Sequence, residues 1–202
     1  MHSVIDEITA NNDWRDGEFA KYKANSLKVE EKMWCRMCIP MIYAHWEGFV
    51  VDALKIMLKH LNEQGLQSHQ LPTNLLVVSL GDAYRPLSGK QSFKQRIDFT
   101  ENFHSLLTKP VRFQTKVDTK SNLKSNVFKD LCTAFAFDSD KFKDQLSDID
   151  RLVQIRNSIA HGENSMQPDM ENIEKYINSV KGAMDLLLFE INDYLTNQKY
   201  LV

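Results

Sequence analysis

The chain has 202 residues, of which 43 % are hydrophobic and 26 % charged, and its formal net charge is −2. This length suits one domain, 1–202, with a proper core, while the negative balance excludes a bulk polycation that coats nucleic acid without selectivity. Only seven glycines and five prolines argue against a turn-rich sandwich or barrel, and helical periodicities along the chain predict an all-α fold.

The N-terminus, Met1-His2-Ser3-Val4-Ile5-Asp6-Glu7, has no basic region followed by an apolar run, and no segment is apolar for the length of a membrane span. Neither export nor membrane insertion is expected. Three cysteines, an odd count, then read as reduced thiols in a cytoplasmic protein. Residues 3–13 are weakly amphipathic through Val4, Ile5 and Ile8. From Gly17 a helical pattern runs through Phe19, Tyr22, Leu27 and Val29, and it either continues into the next run or breaks before it.

That next run, Met33 to Leu61, is the strongest. Ile39, Ile42, Trp46, Phe49, Val50, Ala53 and Met57 share one face, which predicts the central core helix. Pro40 is expected to kink it or to mark its effective start. Cys35-Arg36-Met37-Cys38 has the C-x-x-C spacing, but no second pair or histidine couple completes a zinc site, and no strand–helix context suggests thioredoxin-like chemistry. Helix packing is the reading for these thiols. His45, His60, His69 and His104 form no metal-spaced cluster, and no Walker loop, G-x-G-x-x-G or nucleophile elbow is present. No metal or cofactor is expected.

Gly65 ends the run. Leu71-Pro72-Thr73 caps a short helix through Leu75–Leu80. Gly81 to Gly89, with Pro86, is a connector, and Lys90 to Leu107 reads as a helix with Phe93, Ile97, Phe103 and Leu107 apolar. Residues Lys109 to Lys129 then carry a local charge of +5, leaving −7 for the rest of the chain. Val111, Phe113 and Val117 alternate with polar residues, so an extended strand or a long loop is expected over this segment in preference to a helix. Arg112, Lys116, Lys120 and Lys124 make it a candidate phosphate-tracking surface; the plain alternative is a solvated loop with no partner. Ser125–Phe137 and Ser139–Leu146 read as short helices.

Ser147 or Asp148 is expected to cap a helix through Ile149, Leu152, Val153, Ile155 and Ile159, with Gly162 and Pro168 as stop signals. Its end reads Ile155-Arg156-Asn157-Ser158-Ile159-Ala160-His161-Gly162-Glu163. Asn157 and His161 lie one turn apart on one face. Arg156 falls about 40° from Leu152, inside the apolar stripe, and therefore needs a carboxylate, a phosphate or a wet cleft before it. A last helix from Pro168 through Tyr194 is strongly apolar on one face. It is expected either to pack antiparallel to the motif helix or to form an oligomer surface.

An Arg followed by His after four to six residues arises about 0.6 times by chance in a chain of this composition, so the spacing alone carries nothing. The full string Arg-Asn-Ser-Ile-Ala-His-Gly-Glu, however, resembles the signature of the HEPN superfamily of all-helical nucleases and nucleotide binders. Tyr43-Ala44-His45-Trp46-Glu47-Gly48-Phe49 resembles a segment of its prokaryotic MAE-type branch, so two separated motifs stand in the expected order. The resemblance implies an antiparallel helical bundle and a metal-independent endoribonuclease with a composite site at a homodimer interface. It also implies 2′,3′-cyclic phosphate ends and a place in toxin–antitoxin or antiviral systems.

RNA carries its own nucleophile, the 2′-hydroxyl. Cleavage then needs a base, an acid for the leaving 5′-oxygen, and a cation for the charged phosphorane. Arg156 can grip two phosphate oxygens, His161 can serve as base or acid, and Asn157 can orient that ring or bind phosphate. Glu47 and Glu163 are supporting candidates, and Glu47 is expected to pair with Arg156 or share its cleft; a solvated helix flank is the alternative. One motif supplies one imidazole, and two-fold dimerisation would supply the second. The rival reading is a non-catalytic module that binds RNA, nucleotide or a partner protein, and a third is an antitoxin or scaffold subunit that co-purifies with a neighbour's product. Candidate partners of the nuclease are an antitoxin or a neighbouring defence-system protein.

Overall fold

A computed structural model describes residues 2–81, 83 and 89–202 of the chain. Within these, the helices are α1 (Ser3–Asn12), α2 (Trp14–Ala24), α3 (Glu31–Glu63), α4 (Thr73–Leu80), α5 (Phe93–Leu107), α6 (Ser125–Phe135), α7 (Lys143–Ala160) and α8 (Met170–Thr196). One isolated β-bridge, Gln67 to Pro110, is the only strand-like pairing among the described residues. The all-α expectation holds. The connector around Pro86 lies outside the described residues.

Helix α3 organises the rest. The Glu30 carboxylate accepts from the N–H groups of Lys32 and Met33 and so fixes its start. Its seven predicted face residues, Ile39 to Met57, are all buried. Pro40 lies within a continuous helix, so the start is set by the Glu30 cap and not by the proline. Gly65, at φ +65°, ends the run. Cys35 and Cys38 are fully buried on this helix, and burial pushes the Cys38 thiol up to about 12.

Four rods form the bundle. Arg36 reaches the backbone of Glu163 and Met166, while Tyr43 lies under Arg156, so α7 runs antiparallel to α3. Asp148 meets Ser179, and Gln145 lies against Gly182, so α8 runs antiparallel to α7. Helices α1 and α2, laid end to end, make the fourth rod along α8, with His2 bonded to Asn192, Asp16 to Lys181 and Lys23 to Glu174. The long crossover from α3 to α7 carries α4, α5, the basic connector and α6.

Local chemistry explains where sequence boundaries moved. Helix α2 stops at Ala24 because Asn25 and Ser26 side chains bond the carbonyls of Lys21 and Lys23, which leaves Leu27 97 % exposed. Helix α7 starts at Lys143, after a 3₁₀ turn at Ser139–Phe142 capped by Asp138. Ser147 and Asp148 therefore lie inside the helix and are not its cap; Asp148 instead receives Lys175 and Ser179 of α8. Helix α8 begins at Met170 through a reciprocal cap between Asp169 and Asn172. Helix α5 buries none of its residues, and Phe93 is 77 % exposed.

Candidate functional site

The basic connector reaches the motif by running along α3. Val111 N–H donates to Leu66 O, and Asn62 brackets Phe113, accepting its N–H (2.7 Å) and donating to its carbonyl (3.0 Å). From 111 to 120, odd residues are buried or half-buried and even residues exposed, the period-two signature of extended chain. Phe113 and Thr119 face α3; Arg112, Lys116 and Lys120 project outward, all at even positions, and Lys124 is half-buried. Lys120 also pairs with Asp118 at 3.1 Å.

At residues 119–123 the connector turns onto the motif. Thr119 Oγ1 donates to the Glu47 carboxylate, Leu123 N–H donates to the Tyr43 hydroxyl (2.9 Å), and Trp46 Nε1 donates to Leu123 O (3.2 Å). Asn122 Oδ1 accepts from Asn157 Nδ2 at 3.1 Å. Three elements thus meet here: the middle of α3, the end of the connector, and the last turns of α7.

Arg156 is half-buried with its guanidinium carbon 4.6 Å from the Tyr43 ring centroid. A cation over an aromatic face contributes about 1 kcal/mol, which answers how a guanidinium stands in the apolar stripe. Its Nη1 donates to Asn157 Oδ1 at 2.9 Å. A guanidinium carries five N–H donors, so several remain for phosphate oxygens. No ion pair joins Glu47 to Arg156 among the described residues; both instead touch Tyr43, whose hydroxyl Glu47 approaches and whose ring Arg156 covers. Burial above all, with the Glu47 charge adding to it, pushes the Tyr43 phenol up to about 12. It stays neutral and serves as a platform.

His161 is the C-cap of α7, and its side chain is exposed. Gly162, at φ +76°, lets the chain turn in the left-handed region. Gly162 N–H bonds Ile159 O and Glu163 N–H bonds Ser158 O, both at 3.0 Å, which is the Schellman termination. Ser158 Oγ donates to Glu163 Oε2 (2.9 Å), and Arg36 Nη2 donates to Glu163 O (3.0 Å). Glu163 is therefore part of the helix stop.

Asn157 lies one turn before His161, yet their side chains make no hydrogen bond. The Asn157 amide is turned to Arg156 and Asn122, so the ring-orienting role expected of it gives way to one on the arginine. Sequence reasoning missed Asn122, Thr119 and the Tyr43 platform, because their partners lie from 35 positions away (Asn122 to Asn157) to more than 80 (Tyr43 to Arg156). It also missed a buried cluster behind the site. Arg15 bonds Asn12 (2.7 Å), His45 Nδ1 (3.3 Å) and Asp52 (3.1 Å), while His45 Nε2 meets Tyr22 and Glu18.

Comparisons with curated proteins and with solved structures return no match. The family model described as RiboL-PSP-HEPN matches residues 10–192, within the superfamily expected from the two motifs, though under a different branch name from the MAE type. HEPN domains comprise ribonucleases and RNA-binding modules and often dimerise. With the helical bundle, the Arg156–His161 helix end and a match over most of its length, this chain belongs to the RiboL-PSP-HEPN family of the HEPN superfamily.

Proposed function

We propose that this protein is a metal-independent endoribonuclease that cuts RNA by attack of a 2′-hydroxyl on the adjacent phosphorus. Arg156 binds the phosphate and neutralises the charge that builds on it. His161 of one protomer takes the 2′-proton, and the partner subunit's His161 gives a proton to the leaving 5′-oxygen. The products are a 2′,3′-cyclic phosphate and a 5′-hydroxyl. The extended connector, with Arg112, Lys116 and Lys120 outward and Lys124 near its end, guides the strand toward the motif. Glu47 supports the Tyr43 platform, and Glu163 secures the turn that presents His161.

The observation that carries this reading is the placement of Arg156. It is held on Tyr43 with most of its N–H donors unoccupied among the described residues, where the outward cations of the connector end. A homodimer is part of the proposal because one chain offers one imidazole at the motif. In a cell, such an activity fits a toxin or antiviral effector restrained by an antitoxin or a neighbouring defence protein.

The test incubates purified wild type and His161→Ala with total RNA in EDTA, followed by end-group analysis. Wild type is expected to leave cyclic phosphate ends, and His161→Ala to leave RNA intact. Because His161 is exposed, its removal should change stability by less than about 0.5 kcal/mol. Arg156→Ala should also abolish cleavage, at a cost of about 1 kcal/mol from the lost stacking on Tyr43. Full cleavage by the His161→Ala protein would refute the mechanism.

One observation favours a second reading, a non-catalytic RNA- or partner-binding module. The His161 ring has no hydrogen-bond partner among the described residues of the single chain, so nothing within it fixes the ring. Growth arrest on expression, relieved by His161→Ala, supports catalysis; a harmless protein that co-purifies with a neighbour's product supports the scaffold or antitoxin reading.

A further inference from the structure

A phosphate-binding arginine is useful only if its fork is held still, and the hydrogen bonds around Arg156 form a chain with a fixed direction. A guanidinium has donors and no acceptor. Asn157 must therefore offer its oxygen to Arg156 Nη1, as it does at 2.9 Å. That choice turns the Asn157 NH₂ group the other way, where Asn122 Oδ1 accepts it at 3.1 Å. Asn122, 35 positions upstream, is thus the far end of a relay that begins at Arg156.

The backbone that delivers Asn122 is unusual. Lys120 and Ser121 both adopt left-handed conformations, at φ +58° and +50°, which side chains with a Cβ rarely take. Such a pair persists only where its surroundings over-determine it, and strain of this kind gathers at functional sites. Here the turn is closed locally by Lys120 N–H to Asp118 Oδ1 (2.9 Å) and Asn122 N–H to Thr119 O (3.1 Å). It is anchored to α3 on both sides of Asn122, through Thr119 to Glu47 and through Leu123 to Tyr43 and Trp46.

We infer that Asn122 is a positioning residue of the motif: it sets the Asn157 amide, and through it holds the Arg156 guanidinium over Tyr43 with its remaining donors available. The connector therefore carries outward cations and also ends in the residue that readies the arginine. The kinetic part of this inference rests on the ribonuclease reading; the geometric part stands independently of it.

Two measurements separate those parts. The first is the side-chain ¹⁵N–¹H spectrum, in which Arg156→Lys and Asn157→Asp identify the Arg156 Nε–H and Asn157 NH₂ signals. In Asn122→Ala, or in Asn122→Leu should the alanine variant fold poorly, both signals should broaden or move to solvent-like shifts. Asn122→Asp can only accept, which is the role the relay requires, and should keep them. The second is cleavage of a short RNA. Asn122→Ala should lower kcat about tenfold with KM within about twofold, Asn122→Asp should recover at least half the rate, and adding Asn157→Ala should make Asn122→Ala no worse than Asn157→Ala alone.

An Arg156 signal unchanged in both deletion variants overturns the inference, whether or not the protein cuts RNA. So does unchanged kcat in a wild type that cuts. A wild type that cuts nothing retires the ribonuclease reading, and the Arg156 signal then decides the positioning role by itself: its loss in Asn122→Ala supports that role.

Discussion

Gly162→Ala isolates the turn that presents His161. Gly162 has φ +76°, and a Cβ built on it meets nothing within 4 Å. The cost of an alanine there is consequently backbone strain alone, since no side chain has to give way. A residue with a Cβ in the left-handed region costs about 1 kcal/mol, and the Schellman bonds of Gly162 and Glu163 keep the chain from leaving that region cheaply. Gly65 provides an internal control, because it has φ +65° and equally open space but ends α3 far from the motif. Gly162→Ala and Gly65→Ala should therefore each lose about 1 kcal/mol in urea unfolding with unchanged m, or about 2–4 °C in Tm for a chain of this size. Only Gly162→Ala should lower RNA cleavage, because only that turn orients His161 and Glu163. A Gly162→Ala protein as stable as wild type would refute the strain argument. Equal loss of cleavage in both variants would refute the link between the turn and the motif.

The buried His45 should make stability fall on acidification. Burial first, then Arg15, holds its pKa below the ordinary 6.5, so the unfolded chain takes up the proton before the folded one. Stability is full above about 6.5 and declines as pH falls toward the lowered folded value; urea unfolding at pH 7.5 and 5.5 should show a smaller difference in His45→Asn, and an equal difference would reject the assignment. Gly48 packs against the same cluster, where a Cβ would stand 3.1 Å from Arg15 Nη2. Alanine there gains about 1 kcal/mol of helix propensity but displaces an arginine pinned by Asn12, His45 and Asp52 at a cost of about 1–3 kcal/mol, so net destabilisation is expected and a stabilised variant would show that Arg15 can move freely. Replacing Arg112, Lys116 and Lys120 together by Gln should flatten the salt dependence of RNA binding by about 0.7 for each phosphate no longer neutralised. An unchanged slope would exclude the connector as the RNA track.

Local pattern along the chain was enough for the all-helical class, the buried face of α3 from Ile39 to Met57, and the extended character of 111–120. Each is periodic, and periodicity is a local property that the chain writes directly. The same linear reading displayed Arg156, Asn157 and His161, because one helix end holds all three, and both motifs of the superfamily. What those residues touch emerges only from the packed chain. Tyr43 beneath Arg156, Thr119 on Glu47, Asn122 on Asn157 and Arg36 on the backbone of Glu163 join positions 35 to 127 residues apart, and no pattern within a window of one helix encodes such partners. The same reason explains Glu47, which accepts from a threonine of the connector and meets Arg156 only through the Tyr43 they share. It explains α5 as well: its apolar residues predict a helix, but whether a helix finds a surface to cover depends on where the rest of the chain lies.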